Sequence, residues 1–290
     1  MSADVKVLVT GAGGMLGRFV VKKLIDDGYE TVGADIDEFD LTVEDEVKGF
    51  ILAEKPDVII HTGAFTGVDE AEDCPERSHR VNVDGTRYVV ESASEVGAYI
   101  IYISTDYVFD GEKGNPYVEE DIPNPINVYG RTKYIGEIEV RGYSGRWLIV
   151  RSAWLFGPSP IAFPVKVYRR AVEERELRVV NDQFGSPTYA KDLAEAVIKL
   201  MEKRGDGIYH FVNSGIASRY DLAMRTLEYA GLLKGINLIE ISTGDIESKA
   251  KRPPYSVLDT GKYERLFCEP RMWYEALKAF MDEYDISQIV

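Results

Sequence analysis

Val5-Lys6-Val7-Leu8-Val9-Thr10-Gly11-Ala12-Gly13-Gly14-Met15-Leu16-Gly17-Arg18 is the stretch on which the fold turns. Its first five residues form a short apolar run rich in β-branched side chains, the pattern of a strand buried on both faces. Phe19, Val20, Leu24 and Ile25 follow at helical spacing. Between the two, Gly11, Gly14 and Gly17 keep a G-x-x-G-x-x-G spacing, a variant of the dinucleotide fingerprint. Glycine here permits a tight turn, close approach of backbone to a pyrophosphate and close helix–strand packing. The N–H groups that open the helix then face the phosphates. Gly11, Gly13, Gly14, Met15, Leu16 and Gly17 are therefore expected to hold a nicotinamide dinucleotide.

A second strand, Thr31-Val32-Gly33-Ala34, ends at Asp35, where an acidic residue accepts hydrogen bonds from an adenosine ribose. Asp35 would repel a 2′-phosphate, and Ile36 and Asp37 add no positive charge, which favours NADH over NADPH. Arg18 is the nearby cation that argues the other way, so NADPH stays open; Arg18 is equally an exposed residue in the first turn of its helix. Asp40 and Leu41 are placed to border the adenine, and Gly63 and Ala64, after a strand from Val58 to His61, to border the rest of the cofactor. All four are equally simple loop residues.

Further along, strand-like runs (Tyr99 to Ile103, Trp147 to Val150) alternate with amphipathic helical stretches, among them Arg77 to Val96. Such alternation gives βαβ units: an α/β fold with a doubly wound parallel sheet of Rossmann type, ligands sitting at the carboxyl ends of the strands. Residues 1–156 are expected to form this domain and to carry the catalytic residues. Residues 157–290 are expected to form a smaller carboxyl-terminal substrate-binding lobe that partly returns to it. The aromatics of a last helix, from about Met272 to Tyr284, read as core. Gly111 to Asn127, with Pro116, Pro123 and Pro125, reads as a long irregular loop of the kind that lines sites.

Composition narrows the class. The 290 residues are 45% hydrophobic and 29% charged, with no apolar run approaching the roughly 20 residues of a membrane span. Asp4 and an immediate strand speak against a leader at the amino end. A net charge of −15 argues against binding nucleic acid or an anionic membrane. Cys74 and Cys268 make no disulfide framework, which points to a reducing, cytoplasmic setting. His61, His79 and His210 form no ligand pattern, so no metal is expected.

Two segments carry chemistry. Ser104-Thr105-Asp106-Tyr107-Val108-Phe109-Asp110-Gly111 follows a strand end, and Tyr129-Gly130-Arg131-Thr132-Lys133 lies a short way on. Tyr129 and Lys133 are i,i+4 and share one helix face. A cation held there favours the phenolate and lowers the phenol towards the working range of a general acid. Thr105 is placed to donate a hydrogen bond to the same carbonyl oxygen. Taken alone, the pair fits equally a surface Tyr and Lys, and Thr105 a loop cap.

Together these motifs resemble the extended short-chain dehydrogenase/reductase superfamily, and within it the dTDP-4-dehydrorhamnose reductases. The likeness extends to Val68-Asp69-Glu70-Ala71-Glu72, Asn127-Val128-Tyr129-Gly130, Trp154, Asp182-Gln183-Phe184-Gly185-Ser186-Pro187-Thr188 and Arg252-Pro253-Pro254. It implies NAD(P)H-dependent reduction of the 4-keto group of a nucleotide-linked 6-deoxyhexose, dTDP-4-dehydro-L-rhamnose first. Tyr129 would give the proton, Lys133 would hold the nicotinamide ribose, and Thr105 would polarise the carbonyl. Asp106, Tyr107 and Trp154 would contact the sugar, the indole on its methyl-bearing face. Arg252 would meet the diphosphate bidentately, although an exposed Arg beside two prolines fits as well. The resemblance also implies a possible homodimer.

The chain departs from the family at Ala162, where an Asn is usual, and at Glu70, where a Lys is usual. Two alternatives therefore stand beside the reductase. One is another nucleotide-sugar epimerase or reductase of the superfamily. The other is a non-catalytic regulatory subunit resembling the β subunit of methionine adenosyltransferase, against which Trp154 counts.

Overall fold

The computed structural model describes residues 5–289, so Asp4, used above to read the amino end, lies outside the described residues. Five strands, β1 (Lys6–Thr10), β2 (Glu30–Ala34), β3 (Val58–His61), β4 (Tyr99–Thr105) and β5 (Trp147–Ser152), join the strand Gly207–His210 in one sheet. Its order is Gly207–His210, β5, β4, β3, β1, β2, and every neighbour pair is parallel. The chain winds one way from β1 to β2 and the other way from β1 to β3. A crevice opens at that reversal, outside the carboxyl ends of the strands.

Successive strand side chains point to opposite faces, and both faces are buried. Val7, Val9, Ile60, Ile101 and Val150 meet helix α1 (Met15–Asp26) and the helices Ala190–Glu202 and Trp273–Glu283. Leu8, Ile59, Ile100, Tyr102 and Ile149 meet Val47, Ile51, Val89, Ala93 and Val140 from three helices on the other side. The segment beyond Gly157 thus supplies a strand and two helices to the main body. It also has a small core of its own, Val167, Leu177, Val179, Ala223 and Leu227. The aromatics of the last helix do pack the core, with Phe280 tilted against Tyr189 at 5.7 Å. No described helix is long and apolar enough to cross a membrane.

One element differs from expectation. The helical stretch over 77–96 is broken by a π-turn, Arg80–Asp84, before the helix Gly85–Val96. The turn carries the buried Asn82, whose amide takes both backbone groups of Phe65 (2.8 and 3.1 Å) and the Thr132 hydroxyl (3.0 Å). A wider turn accommodates that three-way junction where a regular α-turn would swing the amide away.

Candidate active site

At the crevice the glycine loop leaves β1. Gly11 has φ of 68°, and a Cβ there would come 2.7 Å from the backbone of Gly63, so the loop crosses directly over the end of β3. A Cβ at Gly17 would stand 2.1 Å from the Gly11 carbonyl, which is why α1 can begin so close to β1. Below, the Thr86 hydroxyl donates to the Asn82 carbonyl (2.7 Å). His61 Nε2 must then donate to Thr86 (3.2 Å), leaving Nδ1 to accept from Thr10 (2.6 Å). That chain pins the ends of β1 and β3 together.

A cavity of about 1050 Å³ opens above, lined by Gly11, Gly13, Gly14, Met15, Leu16, Gly17, Arg18, Asp35, Asp40, Leu41, Gly63 and Ala64. Asp35 receives the Gly13 N–H at 2.7 Å and the Ile36 N–H at 2.9 Å. Bare backbone under a helix start, an acidic residue at the end of β2 and this volume fit a nicotinamide dinucleotide.

Thr105, Asp106, Tyr129, Lys133 and Trp154 line the same cavity. The helix that carries Tyr129 and Lys133, Val128–Arg141, starts at Asn127, whose side chain accepts the Gly130 N–H (2.7 Å) and donates to the Lys251 carbonyl (2.8 Å). Glu72 takes the Val128 N–H at 2.8 Å. A Cβ at Gly130 would lie 2.1 Å from the Tyr107 carbonyl, so the helix sits hard against the turn Asp106–Val108. Tyr129 consequently meets Tyr107 edge-on at 5.9 Å. Thr105 donates to Asp106 (3.0 Å) and accepts the Tyr107 N–H (3.2 Å), so it caps that turn as well as facing the cleft.

The electrostatics correct one expectation. The Tyr129 phenol is not lowered: burial raises it well above its ordinary value, the Thr105 hydroxyl opposing and Asp106 adding to the rise. Lys133 gives it little help, because its Nζ donates to the Ile103 carbonyl at 2.8 Å and lies 4.0 Å from the centre of the Tyr102 ring. Burial pulls Lys133 down to about 7, with Glu137 opposing. Asp106 is pushed up to about 6 by burial, against the Ser256 hydroxyl (2.5 Å) and Thr105. A phenol that keeps its proton at neutral pH is a donor, the form that a reduction needs.

Behind the trio lies an ion pair that the sequence reading passed over. Arg151, on β5, donates to both carboxylate oxygens of Glu137 at 2.8 and 2.7 Å, both side chains being fully buried. Ser104 donates to the same carboxylate at 2.5 Å. Glu137 thereby joins β4, β5 and the Tyr129/Lys133 helix. Its place one turn after Lys133 was the available signal, but its partners are distant in sequence.

The substrate side brings two further corrections. Arg252 would meet a diphosphate already paired: its fork grips Asp69 at 3.1 and 2.6 Å and touches the Ala250 carbonyl. Nor is the Trp154 indole face bare. The Arg219 guanidinium lies 3.6 Å from the ring centre and 5.3 Å from that of Phe163. Trp154 itself sits at φ 45°, costly for a bulky residue and characteristic of functional clefts. Gly185 makes the room, since a Cβ there would stand 2.4 Å from the indole. Ala162 lines the cavity, while Glu70 meets Arg77 at 3.4 Å on the surface. Tyr107 is buried beside Asp106, with Arg219 and Arg252 both acting on its phenol.

Fold and site together define a dinucleotide-binding α/β protein with a Thr/Tyr/Lys set at the mouth of its cofactor cleft. The family model described as the RmlD substrate binding domain matches residues 5–286. The dTDP-4-dehydrorhamnose reductase of Aggregatibacter actinomycetemcomitans is 40% identical, covering 94% of this chain and 97% of that protein. The spore coat polysaccharide biosynthesis protein SpsK of Bacillus subtilis is 38% identical over 96% of this chain and 97% of its own length. The crystal structure of dTDP-4-dehydrorhamnose reductase from Bacillus anthracis in complex with NADP superposes with a TM-score of 0.93 at 35% identity, covering 98% of this chain and 100% of that one. The chain belongs to the RmlD family.

Proposed function

We propose that this protein is an NAD(P)H-dependent reductase of the 4-keto group of a nucleotide-linked 6-deoxyhexose, with dTDP-4-dehydro-L-rhamnose as substrate and dTDP-L-rhamnose as product. The observation that carries this reading is the convergence of Thr105, Tyr129 and Lys133 on the cavity lined by the glycine loop. Family membership and the reductase names of the full-length relatives support it.

A bound dinucleotide would supply hydride to the sugar C4. Thr105 turns its hydroxyl proton from Asp106 to the keto oxygen when substrate binds, and Tyr129 transfers its phenolic proton to that oxygen as charge develops there, giving the alcohol. Lys133, reached from the same helix face, holds the nicotinamide ribose and the tyrosine in register. Asp106, Tyr107 and Trp154 bound the sugar. The lobe from residue 157 onward closes the substrate side, and residues up to 156 carry the cofactor and the chemistry.

Asp35 supports NADH, whereas Arg18 in the same cavity and the NADP complex of the Bacillus anthracis relative support NADPH. Ala162 in the cavity wall favours the related reading, a reductase for a different 4-keto sugar. The deciding experiment follows NADH and NADPH oxidation by the purified chain with dTDP-4-dehydrorhamnose formed in situ. Turnover giving dTDP-rhamnose is expected; binding of both coenzymes without their oxidation would defeat the proposal.

A further inference from the structure

Two arginines lie close to the cleft, Arg219 against its wall residue Trp154 and Arg252 near Tyr107, and among the described residues only one of them has a carboxylate partner. Arg252 is neutralised by Asp69 through both arms of its fork. Arg219 is held differently, its guanidinium carbon over the Trp154 ring at 3.6 Å from the centre and 5.3 Å from that of Phe163. Among the described residues no carboxylate comes within ion-pair distance of it. Burial, the largest effect, and the like charge of Arg252 disfavour its charged form, while the Tyr107 phenol and Asp106 favour it. A guanidinium stacked on aromatic rings keeps its planar edge, with its N–H donors, free for an anion.

What sets Arg219 apart is burial: a desolvated guanidinium with a second cation nearby and no described carboxylate in ion-pair reach leaves its charge to be met by a bound anion. The position is also fixed. Arg219 opens the helix Arg219–Tyr229, whose start is locked by Ser218 and Asp221 in a reciprocal cap at 2.9 and 2.8 Å. Ala217 and Ser218 pair in turn with Gly185 and Phe184, the first of which makes room for the Trp154 indole.

We propose that Arg219, rather than Arg252, receives the diphosphate of a nucleoside diphosphate ligand, and that Trp154 serves as the platform that aims it. The assignment rests on the nucleotide-sugar reading above for its ligand class. Bidentate contact between a guanidinium and phosphoryl oxygens would order the diphosphate beside Tyr107 and leave the sugar to reach Thr105 and Tyr129.

Calorimetric titration of the full chain with dTDP, and with thymidine lacking the diphosphate, provides the test. Arg219→Gln is expected to weaken dTDP binding about 10- to 100-fold, the scale of a charge-assisted contact, while thymidine binding is unchanged. Arg252→Gln should weaken dTDP binding less. NADPH binding and the melting temperature serve as fold checks, and Arg219→Lys, which keeps the charge and loses the fork, is the substitute if the glutamine variant does not fold. Wild-type affinity for dTDP in the Arg219 variants, or a larger loss in Arg252→Gln, overturns the assignment alone. Failure of the wild type to bind dTDP, UDP or GDP overturns the nucleotide-sugar reading together with it.

Discussion

Tyr129 sits where two demands conflict. In the proposed role it reaches a reacting oxygen from the cavity wall and keeps its proton until that oxygen carries charge. Burial against Tyr107 and beside Asp106 meets the second demand by raising the phenol. Tyr129→Phe is expected to lower turnover by about 10²- to 10⁴-fold, the scale of one general acid, with coenzyme binding kept. Steady-state kinetics beside a coenzyme titration checks it, and unchanged turnover would take Tyr129 out of the role. Lys133→Ala should lower turnover and weaken coenzyme binding together. A loss in turnover alone would mean that the lysine serves only the tyrosine. The i,i+4 spacing of this pair was readable in the chain; the sign of the shift on the phenol was not. It depends on what else surrounds the ring, and the ammonium is turned to the Ile103 carbonyl and the Tyr102 face rather than to the phenol.

Among elements, the helix Val128–Arg141 is held at its start and on its buried side by groups that do no chemistry. Asn127 caps it, and Glu137 anchors it to Arg151 on β5 and Ser104 on β4. Removing one partner of a fully buried pair strands the other charge, so Glu137→Gln is expected to cost about 3–5 kcal/mol of stability. Urea unfolding measures this, and the double variant Glu137→Leu with Arg151→Leu should recover much of the loss. A glutamine variant as stable as wild type would show that water or a shift of Arg151 relieves the charge. The same elements mark how far sequence carries. β1, the glycine loop and α1 were legible because strand, turn and helix lie within about twenty residues and each has its own local pattern. The Asp69–Arg252 and Glu137–Arg151 pairs and the stack of Arg219 on Trp154 join segments that only the folded chain brings together. The Arg219 position carries no spacing signal at all, and the π-turn at Arg80–Asp84 follows from a tertiary junction at Asn82 that periodicity does not encode.

The molecule as a whole buries titratable groups whose protonation couples to folding. His61 and His210 are both held down to about 3, burial being the main cause, aided by Lys133 for the first and Arg151 for the second. His210 is fixed in its neutral form: Arg151 can only donate to its Nε2, and Nδ1–H donates to the Tyr117 carbonyl at 3.0 Å. A group with a depressed pKa in the fold binds fewer protons folded than unfolded, so stability is lost as pH falls below the unfolded value of 6.5. Asp106, pushed up to about 6, acts in the opposite direction, since the folded state holds a proton that the unfolded carboxyl has released. Glu119, also raised by burial, acts in the same direction. Lys133 does not enter, because its depressed value matters above about 7. Between pH 6.5 and 5 the two histidines less Asp106 leave about one excess proton on the unfolded chain. The unfolding free energy should therefore fall by about 1.4 kcal/mol for each pH unit. Urea titrations at both ends of that interval measure the slope, and His61→Gln should bring it near zero by removing one of the two histidines. A stability that holds steady in the wild type as the pH drops would mean that one of these rings takes up its proton inside the fold, and that the Thr10–His61–Thr86 chain pinning β1 to β3 tolerates a cation.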